Sequence, residues 1–167
     1  TTCSLMSYGY SPLISKWSPF HGSMMAVVES ISKIVAMGGD YKTIRFSFQE
    51  YFEKLLDIPS KWGKPFASLL GAYMVQRELK LPSIGGKDSM SGSFEDLNVP
   101  PTLVSFAVNY TDVKNIITPE LKNSGHKLIE IMLPKNHYFI YDFNKVKELY
   151  QYVNELMSNN KVYSAYT

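Results

Sequence analysis

Met24, Val27, Val28, Ile31, Ile34 and Val35 recur at intervals of three and four, which predicts a helix over residues 23–37, stopped by Gly38 and Gly39. The period then changes to two. Ile44, Phe46 and Phe48 alternate with Thr43, Arg45 and Ser47, so residues 41–48 are expected as a strand with one buried face. A second helix is expected over residues 65–80. Pro65 suits its first turn, and Phe66, Leu69, Leu70, Tyr73, Met74 and Leu79 form its core-facing stripe. Residues 142–158 read as an amphipathic helix carrying Val146, Leu149, Val153, Leu156 and Met157.

Further strands are expected at residues 1–10, 81–84, 102–110 and 127–133. The third is the clearest, because Pro100-Pro101 marks its start and proline cannot donate within a central ladder. Residues 11–22 read as a loop, and residues 52–64 as irregular chain broken by Pro59. Strands and helices mix without a βαβ repeat, so the expected class is α+β: a mixed sheet with helices on one face. Strand chemistry restarts after the Pro- and Gly-containing residues 118–125, which sets a domain boundary there. Residues 1–120 then form one domain and residues 121–167 the start of an α/β domain.

Composition narrows the function classes. The 167 residues are 45% hydrophobic and 19% charged, as in an ordinary globular protein. A net charge of +2 with scattered Lys and Arg offers no electrostatic basis for binding nucleic acid or an anionic membrane. No apolar run approaches the ~18–20 residues that cross a bilayer. Cys3 is the lone cysteine, so there is no disulfide framework and no zinc spacing, and a reducing cytoplasm fits that usage. The chain opens on Thr1 in a strand-like run and stops at residues 162–167 in another, so both ends are expected to be cut from something longer.

Candidate chemistry concentrates in LPSIGGKDSMSG, residues 81–92. An apolar strand runs into Gly85 and Gly86, then Lys87, Asp88, Ser89, Ser91 and Gly92. Glycines let a ligand approach the backbone and present N–H groups to an anion. Lys87 can neutralise phosphate, and Ser89 and Ser91 can donate to its oxygens. Asp88 can hold a metal, orient Lys87 or cap the turn. The same residue types also form plain turns for local reasons, and composition alone supports both readings. The segment is not a Walker A loop, since the GxxxxGK[ST] spacing is missing.

GGKDSMSG, followed by VPPTLVSFAV at residues 99–108, closely resembles the second synthetase half of the large, single-chain phosphoribosylformylglycinamidine synthases. SPFHG, AVVESISKIVAMGGD, IRFSFQEYFEKL and the terminal GHKLIEIM…KVYSAYT fit that family in order. The resemblance implies an ATP-dependent ligase of purine biosynthesis, converting formylglycinamide ribonucleotide and glutamine-derived ammonia to formylglycinamidine ribonucleotide. It implies two copies of the aminoimidazole ribonucleotide synthetase fold in one chain, this chain lying in the second copy. Its partners would be the first synthetase half and a downstream glutaminase domain. Cofactors would be ATP and Mg2+.

By the same resemblance Lys87 contacts phosphate, Ser89 lies near substrate, Gly85 and Gly86 back the nucleotide, and Asp88 belongs to the same loop. In related shorter synthetases the position of Lys87 is an asparagine tied to magnesium, which a charged lysine cannot replace. Glu29 matches a family glutamate that binds magnesium. One turn later, however, this chain has Lys33 where the family has asparagine, and a plain i,i+4 ion pair is the competing reading. His21 reads as a surface or packing histidine, His126 and His137 have no partner pattern, and Asp40 is a turn residue. An N-terminal domain standing alone would leave sheet edges and an apolar face uncovered, so the isolated chain is expected to self-associate.

Overall fold

Proline sets where three of the four helices begin. In the computed structural model, which describes residues 1–167, α1 spans Pro12–Trp17, α2 Pro19–Ala36 and α3 Pro59–Leu79, each with proline in its first turn. The missing N–H is one of the helix-start donors that would be unpaired anyway. Residues 11–22 are therefore helical and not a loop. Ser18 stays extended between α1 and α2, as the residue before a proline prefers, and its side chain accepts from the His21 N–H to cap α2. Pro59 likewise starts α3 instead of breaking the chain, and Pro65 lies inside the helix, leaving the Lys61 carbonyl without its helical donor.

The strands are β1 Thr2–Gly9, β2 Arg45–Tyr51, β3 Ser83–Lys87, β4 Ser93–Phe94, β5 Leu97–Asn98 and β6 Thr102–Asp112. Four make one mixed sheet in the order β1-β6-β2-β3, antiparallel except for the parallel pair β2/β3, and β4/β5 form a small hairpin. Tyr41–Thr43 is a 3-10 turn capped by the Asp40 side chain, which accepts from Lys42 N–H at 3.0 Å, so β2 starts only at Arg45. The expected strand at residues 127–133 does not form: Leu128, Ile129 and Met132 are exposed and no strand lies beside them. A strand without a neighbour leaves its ladder groups unpaired, and local β-propensity does not offset that. Residues 162–167 form no strand either.

Helices α2 and α3 cover one sheet face. Met24, Val27, Ile31 and Ile34 of α2 are fully buried against Phe46 of β2 and Ala107 of β6. Burying each large side chain stabilises the fold by about 1.5–3 kcal/mol. α3 meets α2 with small residues, Ser68, Gly71 and Ala72; of the expected stripe, Leu79 is buried and Met74 packs on the core, whereas Phe66, Leu69, Leu70 and Tyr73 point outward. Close helix approach selects the side chains that keep the backbones from colliding. The Ser23 and Ser68 hydroxyls, both buried, bond across this contact.

The last helix, α4 Phe143–Ser158, is capped by Asp142, which accepts from the Asn144 and Lys145 N–H groups. It buries Phe143, Val146 and Tyr150 in the same core, and the Tyr150 hydroxyl bonds Ser32 Oγ at 2.8 Å. The opposite sheet face is open, with Met6, Tyr8, Phe106, Val108 and Tyr110 exposed. No helix is long and apolar enough to cross a membrane.

Candidate functional site

β2 and β3 run parallel with Gln49 beside Lys87, so their carboxyl ends adjoin and the chain leaves both strands at one corner of the sheet. Gly85, Gly86 and Lys87 belong to β3, and the loop starts only at Asp88, one difference from the sequence reading. Gly86 has to be glycine: a Cβ there would lie 2.6 Å from the Phe48 carbonyl oxygen, whereas one at Gly85 meets open space. β3 is an edge strand, so the backbone groups on its outer side are unpaired within the sheet. The loop is fastened to the end of β2. Ser89 N–H donates to the Glu50 carbonyl at 3.1 Å, Phe52 N–H to the Ser89 carbonyl at 2.8 Å and Gly92 N–H to the Phe52 carbonyl at 2.9 Å.

On this frame Lys87 is exposed, and its Nζ donates only a long 3.4 Å bond to the Asp88 carbonyl, so no carboxylate neutralises it. Ser89 and Ser91 bond each other through their hydroxyls at 2.8 Å. An open cleft of about 430 Å3 adjoins the loop, walled by Tyr51, Ser91, Gly92, Phe94, Leu97 and Pro100. The structure thus gathers Gly85, Gly86, Lys87, Asp88 and Ser89 at one sheet corner.

Glu50 is the residue sequence reasoning passed over. Burial, then the nearby Asp88 charge, pushes its carboxyl up to about 7. The signal was present: Glu50 continues the alternation Ile44, Phe46, Phe48 and falls on the buried face. The folded chain holds this proton to higher pH than the unfolded chain, so stability declines as pH rises from about 4.5 to about 7. Glu50→Gln is expected to remove that decline and to stabilise the chain at pH 8 by about 1 kcal/mol, a figure discounted for the group's partial exposure to solvent. Urea titrations at pH 5 and pH 8 measure it, and an unchanged pH slope in the variant contradicts the assignment.

Glu29 stands at the same end of the sheet but on the β1 side, separated from β3 by β6 and β2, roughly 15 Å at ~4.8 Å per strand. Both its oxygens are engaged. Oε2 accepts from the Tyr10 N–H at 3.0 Å, and Oε1 accepts from Lys33 Nζ at 2.6 Å. Lys33 also donates to the Tyr8 carbonyl at 2.9 Å and lies 4.7 Å from the centre of the Tyr8 ring. His21 is equally occupied, Nδ1 on Ser18 Oγ at 2.8 Å and Nε2 on the Tyr138 carbonyl at 2.9 Å, which ties α2 to the turn before α4. His126 stacks on Tyr163, and His137 lies tilted against the neighbouring Tyr138.

No family model matches the chain. It is 26% identical over 121 residues to the phosphoribosylformylglycinamidine synthase subunit PurL of Methanobrevibacter smithii, a match covering 70% of this chain and 16% of that protein. Thermotoga maritima PurL in complex with AMPPCP superposes with a TM-score of 0.71 at 14% identity, over 98% of this chain and 26% of that one. The same protein complexed with FGAR gives 0.69 at 14% identity, over 98% and 28%; complexed with ATP it gives 0.67 at 14% identity, over 98% and 26%. The fold is that of PurL. The resemblance read from the sequence is borne out at this level, and the class is the expected α+β with a mixed sheet and helices on one face. This chain spans about one-sixth of the curated PurL it matches and about a quarter of the solved PurL chains.

The Mg2+ implied by the PurL-type resemblance does not fit the donors around Glu29. One carboxylate with both oxygens taken, beside an ammonium, is not the set of oxygen ligands that magnesium requires. No group of three or more His, Cys, Asp or Glu residues assembles anywhere in the chain.

Proposed function

We propose that this chain is part of a PurL-type synthetase, acting in the cytoplasm, that joins ammonia to formylglycinamide ribonucleotide at the expense of ATP. The supporting observation is Lys87: a lysine with no carboxylate partner, held at the adjoining carboxyl ends of two parallel strands beside Gly85 and Gly86. In this reading the γ-phosphoryl group of ATP passes to the formamide oxygen, releasing ADP. Ammonia then attacks the activated carbon and phosphate departs with that oxygen. Lys87 supplies positive charge to the transferring phosphoryl group, which is what such a transition state needs. Ser89 and Ser91 donate to phosphate oxygens, Asp88 orients the loop, and the cleft beside Tyr51 and Phe94 takes a flat ring. Any Mg2+ would enter as the nucleotide's counter-ion, and no step is assigned to Glu29.

Residues 1–120 are read as the N-terminal domain of the second synthetase copy and residues 121–167 as the way into the next domain, with α4 fastened back on the first. The open sheet face at Met6, Phe106 and Val108 is the surface we assign to the first synthetase half, and ammonia would come from a glutaminase domain of the same protein. A non-catalytic phosphate-binding or dimerisation module of the same fold is the second reading, favoured by the internally neutralised Glu29–Lys33 pair. ADP release by the complete enzyme decides between them. Over many turnovers it is expected only when formylglycinamide ribonucleotide and ammonia or glutamine are both present, since the phosphorylated amide must be consumed before the next cycle. Release that ignores the ribonucleotide removes the synthetase reading.

A further inference from the structure

α3 carries an apolar stripe that its own chain leaves uncovered. Trp62, Phe66, Leu69, Leu70 and Tyr73 are 58%, 63%, 51%, 41% and 55% exposed, and with Arg77 they fall within roughly 100° of one helix face. The Trp62 indole N–H donates to the Leu56 carbonyl at 2.8 Å, which holds the ring in place. Taking ~200 Å2 for a whole aromatic side chain, the stripe exposes on the order of 500 Å2 of apolar surface. That is a patch of the size that marks an interaction site, and flanking contacts bring it towards the ~800 Å2 per partner of a stable complex.

The order of residues along the stripe says what fits it. About the midpoint between Leu69 and Leu70, leucine mirrors leucine, Phe66 mirrors Tyr73, and Trp62 mirrors Arg77. In an antiparallel pair of identical helices related by a twofold axis, each residue meets its mirror on the other copy. Leucines then meet at the axis. An aromatic pair lies on either side of them, and an arginine guanidinium faces a tryptophan ring at each end, a cation–π match. A parallel pair would instead set arginine against arginine. We infer that the outer face of α3 binds a second copy of this chain, α3 against α3 and antiparallel. This surface lies on the helical layer, opposite the open sheet face, and is independent of the synthetase reading.

Cross-linking of the 167-residue chain in a Cys3→Ser background tests the inference, with sedimentation velocity as the measure of association. A mixture of Phe66→Cys and Tyr73→Cys chains is expected to be joined by a thiol-reactive linker spanning about 8–10 Å, the separation of packed helices. Trp62→Cys alone is expected not to link to itself, because an antiparallel pair sets its two copies ~22 Å apart. Phe66→Glu is expected to weaken the dimer at least tenfold, and Tyr73→Lys likewise. Val108→Glu on the sheet face is expected to leave the 66–73 cross-link in place. All four positions are exposed, so circular dichroism should report an unchanged fold. A chain that stays monomeric, or a dimer that does not link 66 to 73 and is indifferent to Phe66→Glu, overturns the inference. The latter outcome would assign association to the sheet face and α3 to another segment or partner.

Discussion

Gly71→Ala should cost this chain about 3 kcal/mol of folding stability, the upper end of what overpacking usually exacts. The added Cβ would sit 2.1 Å from the Phe20 carbonyl oxygen and 2.9 Å from its carbon. These are backbone atoms of α2, so no side chain can rotate out of the way, and the two helices must separate. Separation strains the buried Ser23–Ser68 hydrogen bond and opens space around Met24 and Val75. Gly63→Ala on the same helix is the matched comparison, since nothing lies within 4 Å of its Cβ position. There the ordinary preference of helices for alanine should stabilise the chain by about 0.5–1 kcal/mol. Opposite signs in urea midpoints for the same chemical change would establish close α2/α3 contact; equal effects would refute it.

Lys87→Ala in the complete enzyme should lower turnover at least tenfold while leaving the fold intact, because the side chain is exposed and carries no structural bond beyond the weak contact to Asp88. The loss should appear in kcat more than in KM, if the ammonium acts mainly on charge that develops during phosphoryl transfer. Lys87→Arg should recover part of the activity, since charge is kept but the shape of the donor changes. Steady-state kinetics with ATP and formylglycinamide ribonucleotide varied in turn provide the measurement. Unchanged constants would take the β3 loop out of the active site.

How far the residue pattern carried the reading varied with the physics involved. α2 and β6 were legible because their periods of apolar residues report their own burial. α4 was legible too, and so was its end of the core, although Tyr150 was passed over as a buried residue. The face of α3 was read correctly at Met74 and Leu79 and wrongly at Phe66, Leu69, Leu70 and Tyr73. Large apolar side chains normally mark a core, but along that stretch α3 approaches α2 so closely that the small residues Ser68, Gly71 and Ala72 line the contact. Residues 127–133 have strand composition and no strand, since pairing depends on an available edge that local composition does not encode. At the site, the Gly85–Ser89 group stood out by residue type. Glu50 was signalled only by its place in the alternation of β2, because its perturbation comes first from burial and then from the Asp88 charge, which only the folded chain brings near.

The pairing of β1 with β6 also bears on how the chain acquires its fold during synthesis. Thr2 lies opposite Asp112 and Gly9 opposite Ser105, so β1 has its only sheet neighbour about a hundred residues later in the chain. At the ~5–20 residues per second of a translating ribosome, β1 waits on the order of 5–20 s for that partner. During the wait Leu5 and Gly9 have α2 to pack on, but β1 has no ladder to join. The sheet closes only when β6 arrives to bridge β1 and β2, so a nascent chain halted before residue 102 holds helices and separate strands but no sheet joining β1 to β2.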